Sequence, residues 1–422
     1  MLLEFRVQNF RSLREEQALS MVASERLDPH SDVPRKLVGN DKKILPSIAI
    51  YGGNASGKSN VIAALTFMRD AVVSSHRYWN PEGGIPRSPF GWGGQTLQPS
   101  VFEITFSSSG TEFNYGFSMS DEAVEEEWLH AWPENRKQVW FERDCGTYKF
   151  GGHFTGPNEA VVGLTRKNAL FLSTAIQVGH EALQLVFKMF SKIIAVGKLS
   201  RFPTLSSQHQ LEAIFPALES QPRLFLHEEE LAEKVRTLFK AADFGIVDIK
   251  KEEFDRQLPG RSVKGTRYLL QHQLGNDESW IGLDEESDGT KTLFKIAPNL
   301  FRVLETGGVL LVDELESSLH PNLGSKIVKM FNCPQTNQQN AQLIFTTHDT
   351  NLLGNTLGAP ALRRDQVWFT EKDSSGATSL YPLTNFKPRN VENLERGYLQ
   401  GRYGAIPFLG NFEDLRNDVP DR

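Results

Sequence analysis

The chain has 422 residues, 39% of them hydrophobic, including 28 Phe and 7 Trp. This is enough apolar bulk for roughly two or three domains, or for one large α/β domain carrying an inserted piece. A formal charge of −6 and a pI of about 6.0 exclude a chain that coats nucleic acid through a general basic surface, while leaving room for a local basic groove. Cys145 and Cys333 lie far apart without metal-ligand spacing, which predicts a reduced, cytoplasmic setting. Glu4 and Arg6 interrupt the apolar run a signal peptide needs, and runs such as VLLV at 309–312 are too short to span a bilayer.

In chain order, LEFRVQNF alternates apolar and polar residues and predicts a strand. Residues 24–46 are polar, contain Pro29, Pro34 and Pro46, and predict a loop. IAIY then runs as a strand into a glycine turn, and the apolar spacing beyond it predicts a helix from about Lys58 to Val73. Residues 80–100, rich in Gly and Pro, predict irregular structure. VFEITF and FNYGFSM alternate about a Ser-Gly turn and predict a hairpin, with QVWFERD and TYKFGG as further antiparallel strands. From about Asn168 to Ala242 the pattern is helical, in EALQLVFKMFSKI and LAEKVRTLFKAA, and too interrupted for a long coiled coil. Residues 244–283 return to strands. They are followed by ESDGT, a helix to about Leu304, the strand GVLLVDE, a helix near 321–331 and the strand QLIFTTHD. The C-terminal 60 residues mix short strands with the tail YLQGRYGAIPFLG.

Four motifs carry chemistry. In Gly52-Gly53-Asn54-Ala55-Ser56-Gly57-Lys58-Ser59, small residues let backbone N–H groups curl around phosphate oxygens, and the following helix, beginning with Lys58, Ser59 and Asn60, adds its positive end. Lys58 is placed to bridge the outer phosphates and Ser59 to hold Mg²⁺. In GGVLLVDELESSLHP a buried strand ends in Asp313, suited to Mg²⁺, and Glu314, suited to act as general base toward an attacking water. Glu286-Ser287-Asp288-Gly289-Thr290 puts a Ser and a Gly at a helix start, an anion seat that an ordinary helix cap explains equally well by itself. Thr346-Thr347-His348-Asp349 ends an apolar strand, and His348, 34 residues after Glu314, is placed to sense a γ-phosphate.

Loop, signature, paired acids and switch His, in this order, resemble the ABC-type ATPases, in the branch with SMC, RecF and OLD proteins. The N-terminal LEFRVQNFRSL also looks like that branch, where an arginine matching Arg11 reaches back to bound nucleotide; a surface arginine is the plainer alternative. ESDGTK, LVDELESSLHP, FTTHD and YLQGRYGAIP together resemble the RloA/AbiL group of abortive-infection AAA ATPases over nearly the whole chain. In the tail, Tyr398, Gly401, Arg402, Tyr403 and Gly404 are open to packing on the ATPase core or on a partner. The chain departs from the wider pattern at Asp288, where the common signature has Gly, and at His320, where transporters have Asp. The lid-loop glutamine is not placed, Gln95 and Gln98 being the nearest candidates.

The resemblance implies an α/β fold, an ABC-type P-loop core of mixed sheet flanked by helices, with an antiparallel β subdomain and a compact helical insertion. The expected division is 1–167 and 244–360 for the two parts of the core, 168–243 for the helical insertion and 361–422 for a C-terminal extension. It further implies ATP and Mg²⁺ as cofactors, Arg11, the 52–60 segment, Ser287 and Gly289 at the nucleotide, and Glu314 and His348 in hydrolysis. Because the signature must come from a second subunit, a homodimer or higher oligomer is expected, with a nuclease or toxin effector and a phage protein as trigger. Nucleic acid is not indicated by the charge, and no membrane association is expected. A RecF/SMC-type repair ATPase that clamps DNA is the alternative, weakened because Lys and Arg in RTLFK and KKEEFDRQ are interleaved with acids. A GTPase is disfavoured because FTEKD has the wrong register for guanine recognition, and a purely structural nucleotide site because the Asp313-Glu314 pair is complete.

Overall fold

A computed structural model describes residues 1–25, 27, 31–39, 41–196, 228–242, 245–258, 261–274, 277–354, 358–386 and 392–407. The alternation in LLEFRVQ builds β1 (Leu2–Gln8), with Leu3, Phe5 and Val7 buried and Glu4, Arg6 and Gln8 only partly covered. Then come β2 (Gln17–Ser20), the short pair β3 (Arg35–Lys36) and β4 (Lys43–Ile44), β5 (Ser47–Gly52) and α1 (Lys58–Tyr78). An antiparallel run follows: β6 (Ser100–Ser108), β7 (Thr111–Met119), β8 (Val124–Trp132), β9 (Gln138–Asp144) and β10 (Thr147–Phe150). Next are α2 (Asn158–Leu164), α3 (Phe171–Gln177), α4 (Gln184–Ser191), β11 (Ile193–Val196), α5 (Glu228–Ala241), β12 (Ile246–Leu258), β13 (Arg261–Leu274) and β14 (Asp277–Gly282). The chain then forms α6 (Asp288–Thr306), β15 (Val309–Val312), α7 (Pro321–Asn332), β16 (Gln342–Thr346), β17 (Val367–Lys372), β18 (Thr378–Pro382) and α8 (Leu394–Leu399).

Two large sheets organise most of these elements, beside a three-stranded β12-β13-β14 sheet and the β3–β4 pair. The antiparallel one has the order β10-β9-β8-β7-β6-β1-β2, and the mixed one β11-β15-β16-β5-β17-β18. In the mixed sheet every neighbouring pair from β11 to β17 is parallel, and β18 closes the edge antiparallel. Its central strands β15, β16 and β5 are buried throughout because both faces of the sheet are covered there. Ile48 and Ile50 of β5, Val309 and Leu311 of β15 and Ile344 of β16 face a core shared with α1 and the antiparallel sheet. Ala49 and Tyr51, Leu310 and Val312, and Leu343 and Phe345 face the other core, with α6 and α7. A period of two thus sends alternate residues of one run into two different interiors. This is the α/β P-loop NTPase fold with an antiparallel subdomain.

A buried carboxylate ties the subdomain to the helices. Glu127 on β8 is fully buried and accepts hydrogen bonds from the Tyr115 hydroxyl (2.9 Å) and from the N–H groups of Phe171 (2.6 Å) and Leu172 (3.0 Å). Phe171 and Leu172 open α3, so Glu127 satisfies orphan donors of that helix from another element. Burial pushes its carboxyl above the ordinary value, while Arg143, 3.8 Å away, and the donated hydrogen bonds pull it back.

The expected elements form, with shifted ends: the loop helix continues to Tyr78, and the 24–46 segment contains the β3–β4 pair. The 168–243 segment is not helical throughout. Ile193–Val196 is a strand, β11, joined in parallel to β15 in the mixed sheet, because its apolar run is short and lies beside a buried edge. Residues 197–227 of that segment lie outside the described residues. Among the described residues no helix is long and apolar enough to cross a membrane.

Candidate functional site

β5 delivers the glycine loop to the C-terminal edge of the mixed sheet, where ligands bind in open α/β sheets. The loop turns into α1 at Gly57, whose φ of 105° is disfavoured for other residues. A Cβ there would also lie 2.2 Å from Thr378 Oγ1 and 2.9 Å from Ser12 Oγ. The 21-residue helix carries no acid in its first turn, so no residue of its own neutralises the positive end that faces the loop. Asn54 and Ala55 are exposed, whereas Ser56 is buried with its hydroxyl 2.7 Å from Thr370 Oγ1. Thr378 Oγ1 donates to Ser56 O at 2.8 Å, lies 2.8 Å from Ser12 Oγ, and fixes the loop from behind.

Lys58 is buried, and its ammonium donates to the carbonyls of Gly52 (2.9 Å) and Gly53 (3.0 Å). Desolvation lowers its pKa; the carboxylates of Glu316, Asp313 and Glu314, in that order, work against the shift. Ser59 Oγ donates to Asp313 Oδ1 at 2.9 Å. Thr346 Oγ1 donates to the same oxygen at 2.7 Å and accepts the Glu314 N–H at 2.7 Å. The sheet order explains this meeting. β16 lies between the loop strand and the acid strand, so Thr346 at its tip stands between Ser59 and the two acids.

Glu314 is exposed and has a φ of 55°, a left-handed conformation that costs a β-carbon residue about 1–3 kcal/mol and is found where surrounding structure enforces it. Here the Thr346 hydroxyl holds its N–H. His348 is exposed, yet partial desolvation and then the Lys58 ammonium hold its imidazole below the ordinary histidine value, against Glu316 and Glu314. Its backbone N–H donates to Glu316 Oε1 at 2.5 Å. The other Glu316 oxygen is buried and takes no hydrogen bond among the described residues.

Arg11 lies beside this constellation, with a φ of 51°. Its N–H donates to Ser88 O (2.6 Å), and its guanidinium donates to Asn60 Oδ1 (3.3 Å) on the first turn of α1. Asn60 Nδ2 in turn donates to Ser12 Oγ at 2.7 Å. Ser287 caps α6, its oxygen accepting the Thr290 N–H at 3.1 Å, and it is exposed with Asp288, while Gly289 is buried. The bonds Ser287 makes are those of its own helix cap. His320 also serves as a cap, with Nδ1 accepting the Asn322 N–H at 3.2 Å at the start of α7. Gln95 and Gln98 hold the subdomain loop through their backbone carbonyls, each accepting from Asn9 Nδ2 at 2.8 Å.

The structure therefore brings Lys58, Ser59, Asp313, Glu314 and His348 together, with Arg11 at the helix start. Glu316, Thr346, Thr370 and Thr378 complete the arrangement and were not singled out by sequence. Glu316 and Thr346 sit inside quoted motifs, but nothing in their spacing gives their partners. Thr370 lies on β17 and Thr378 on the edge strand β18, and neither belongs to a nucleotide-binding motif.

The donor set fits Mg²⁺. Ser59 Oγ and the Asp313 carboxylate are hard oxygen ligands of the kind Mg²⁺ shares with nucleotide phosphates, and among the described residues no cluster of three or more His, Cys, Asp or Glu offers a separate metal site.

No individually curated protein matches the chain. Among solved structures, the SMC head domain from Thermotoga maritima aligns over 90% of this chain and 98% of its own, with 13% identity and a TM-score of 0.40. The Smc head with an extended coiled coil bound to the C-terminal domain of ScpA, derived from Pyrococcus furiosus, aligns over 95% and 98%, with 12% identity and a TM-score of 0.42. The family described as AAA domain, putative AbiEii toxin, Type IV TA system, matches residues 47–354, a span that runs from the loop strand to beyond the switch His. With that span covering well over half of its residues, the chain belongs to this AAA-domain family.

Proposed function

We propose that the chain is an ATPase that closes in pairs around ATP and Mg²⁺, and that this cycle controls a partner effector in anti-phage abortive infection. The observation that carries the ATPase reading is the chain of contacts Ser59–Asp313–Thr346–Glu314, which joins the phosphate loop to the acid strand through β16. Bound Mg²⁺ supplies charge neutralisation for the outer phosphates. Lys58 and the N–H groups of the loop hold the phosphates, Arg11 lies at the near end of α1, and Glu314 takes a proton from the attacking water, with His348 beside it. The exposed position of Ser287 at a helix N-terminus supports a role toward the nucleotide of a second copy. The family description, with its toxin context, supports the defence setting. The effector is expected to be a nuclease or toxin and the trigger a phage protein.

Composite sites are tested by mixing two inactive variants, Lys58→Ala and Ser287→Arg. With random pairing half of the dimers are mixed, and each mixed dimer holds one intact site, so ATP turnover should return to about a quarter of wild type. A mixture as inactive as its components, or a Ser287→Arg chain active alone, would remove the paired arrangement.

Glu316 should act through His348. Glu316→Ala removes the anchor of the His348 N–H and should lower kcat about tenfold, whereas Glu316→Gln keeps an acceptor and should retain most of it. The pH dependence gives an independent sign. The His348 pKa lies below the ordinary value, so the acid limb of kcat should fall below pH 6.5. Glu316 raises that pKa, so Glu316→Gln should move the limb to still lower pH. An unmoved limb in that variant would show that the limb does not report His348.

A further inference from the structure

The tail that follows the family's matched span does not hang free of the nucleotide site. Tyr398 on α8 packs its ring 5.6 Å from that of Tyr51, the residue before the phosphate loop, and stacks at 5.5 Å and 17° on Phe369. Its hydroxyl donates to Ala405 O at 3.3 Å, folding the tail back on itself. Burial pushes its phenol above the ordinary value, and the Gly52 backbone opposes that shift. Tyr403 adds a second ring at 5.9 Å from Phe369, and its carbonyl accepts the Tyr381 hydroxyl at 3.1 Å. Left-handed turns at Gly401, Gly404 and Ala405 then bring the chain back over the loop. Gly53 is buried there, and a Cβ on it would lie 3.2 Å from Pro407 Cα.

The other end of α8 meets the switch segment. Thr350, two residues beyond His348, donates its hydroxyl to Glu395 Oε1 at 3.1 Å. A Cβ on Gly354 would lie 2.1 Å from Glu395 Oε2, so the approach there is close. Tyr51 closes the circuit, its hydroxyl donating to Asp349 O at 2.9 Å. One short segment thus packs at the phosphate loop on Tyr51 and Gly53 and meets the segment after His348 at Thr350 and Gly354.

We infer that residues 393–407 are a strap that positions the nucleotide site, Tyr398 acting on ATP through the phosphate loop and Glu395 acting on hydrolysis through the segment behind His348. Both are positioning residues: each works through groups that face the nucleotide. The strap rests on the proposed ATPase activity and adds to it residues from outside the family's span. Because it contacts both halves of the site, nucleotide occupancy and the state of the strap are coupled, and the coupling runs in both directions.

Steady-state ATP hydrolysis by the full chain separates the two ends. Tyr398→Phe keeps the ring and removes the hydroxyl; it should raise KM for ATP about fivefold with kcat within about twofold of wild type. Glu395→Ala should lower kcat about fivefold with KM within about twofold, and Glu395→Gln, which still accepts from Thr350, should recover most of the loss. A purely structural role would lower kcat of both variants in step with the melting temperature and leave KM unchanged in both, and that result overturns the inference. So do variants with wild-type kinetics. Hydrogen exchange on the unaltered chain gives a reading independent of the variants: amides of 393–407 should exchange more slowly with ATP and Mg²⁺ than without, and equal rates overturn the strap. A wild-type chain that neither binds nor hydrolyses ATP overturns the proposed activity and the strap with it. An active wild type with an unresponsive strap overturns the strap alone.

Discussion

Lys58→Ala is expected to weaken ATP binding by some tens- to thousands-fold, the range given by the roughly 2–5 kcal/mol that truncating one partner of a buried charge pair costs. Three features of the site put the effect at the upper part of that range. Lys58 is buried, so its charge acts on phosphate through little intervening water. It is the cation against which Glu316, Asp313 and Glu314 are set, so its loss leaves three carboxylates facing an incoming polyanion. It also satisfies the carbonyls of Gly52 and Gly53, which the alanine variant leaves without that donor. Titration calorimetry with ATP and Mg²⁺ measures the loss, and a melting curve shows that the fold survives. A variant that binds ATP within about threefold of wild type would mean that the loop does not hold the phosphates.

Glu314→Gln is expected to bind ATP normally and to lose about 10²- to 10⁴-fold in turnover, the usual contribution of a positioned general base. The amide has the shape of the carboxylate, so the left-handed backbone at Glu314 and its N–H bond to Thr346 remain in place. What disappears is the proton acceptor. With ATP bound and not hydrolysed, the paired assembly should persist, seen as a larger mass by light scattering in ATP and Mg²⁺ than in ADP. Turnover near wild type would take Glu314 out of the reaction.

Much of this site was legible before any tertiary contact was known. A glycine turn between an apolar strand and a helix is a local device: the small residues, the lysine and the serine are adjacent in sequence because the loop itself is the binding surface. The acid-ended strand is also local, since four apolar residues running into Asp313 and Glu314 mark a buried strand emerging at a sheet edge. Arg11 and Ser287 were legible as types at positions. Their local roles, a hydrogen bond to Asn60 and a helix cap, depend on neighbours that the structure supplies.

The remainder depended on which strands lie side by side. Thr346 matters because β16 separates β5 from β15, and strand order is set by long-range packing rather than by any local pattern. Glu316 matters because the turn after Glu314 aims it at the His348 N–H, a contact between residues 32 apart in the chain. β11 was read as part of a helical stretch because four apolar residues do not distinguish a strand from a helix, and only the vacant parallel edge beside β15 decides it.

By itself, the amino-acid sequence determined that this protein carries a phosphate loop, an acid-ended strand and a histidine-tipped strand on an α/β frame, because each of those is written in a few consecutive residues. Only the tertiary structure decided that Thr346 joins the loop to the acids, that Glu316 holds the His348 N–H, and that the aromatic tail packs on the core at the phosphate loop. The reason is physical: each of these is a contact between segments tens or hundreds of residues apart, fixed by strand order and by rings that find their partners only when both cores close.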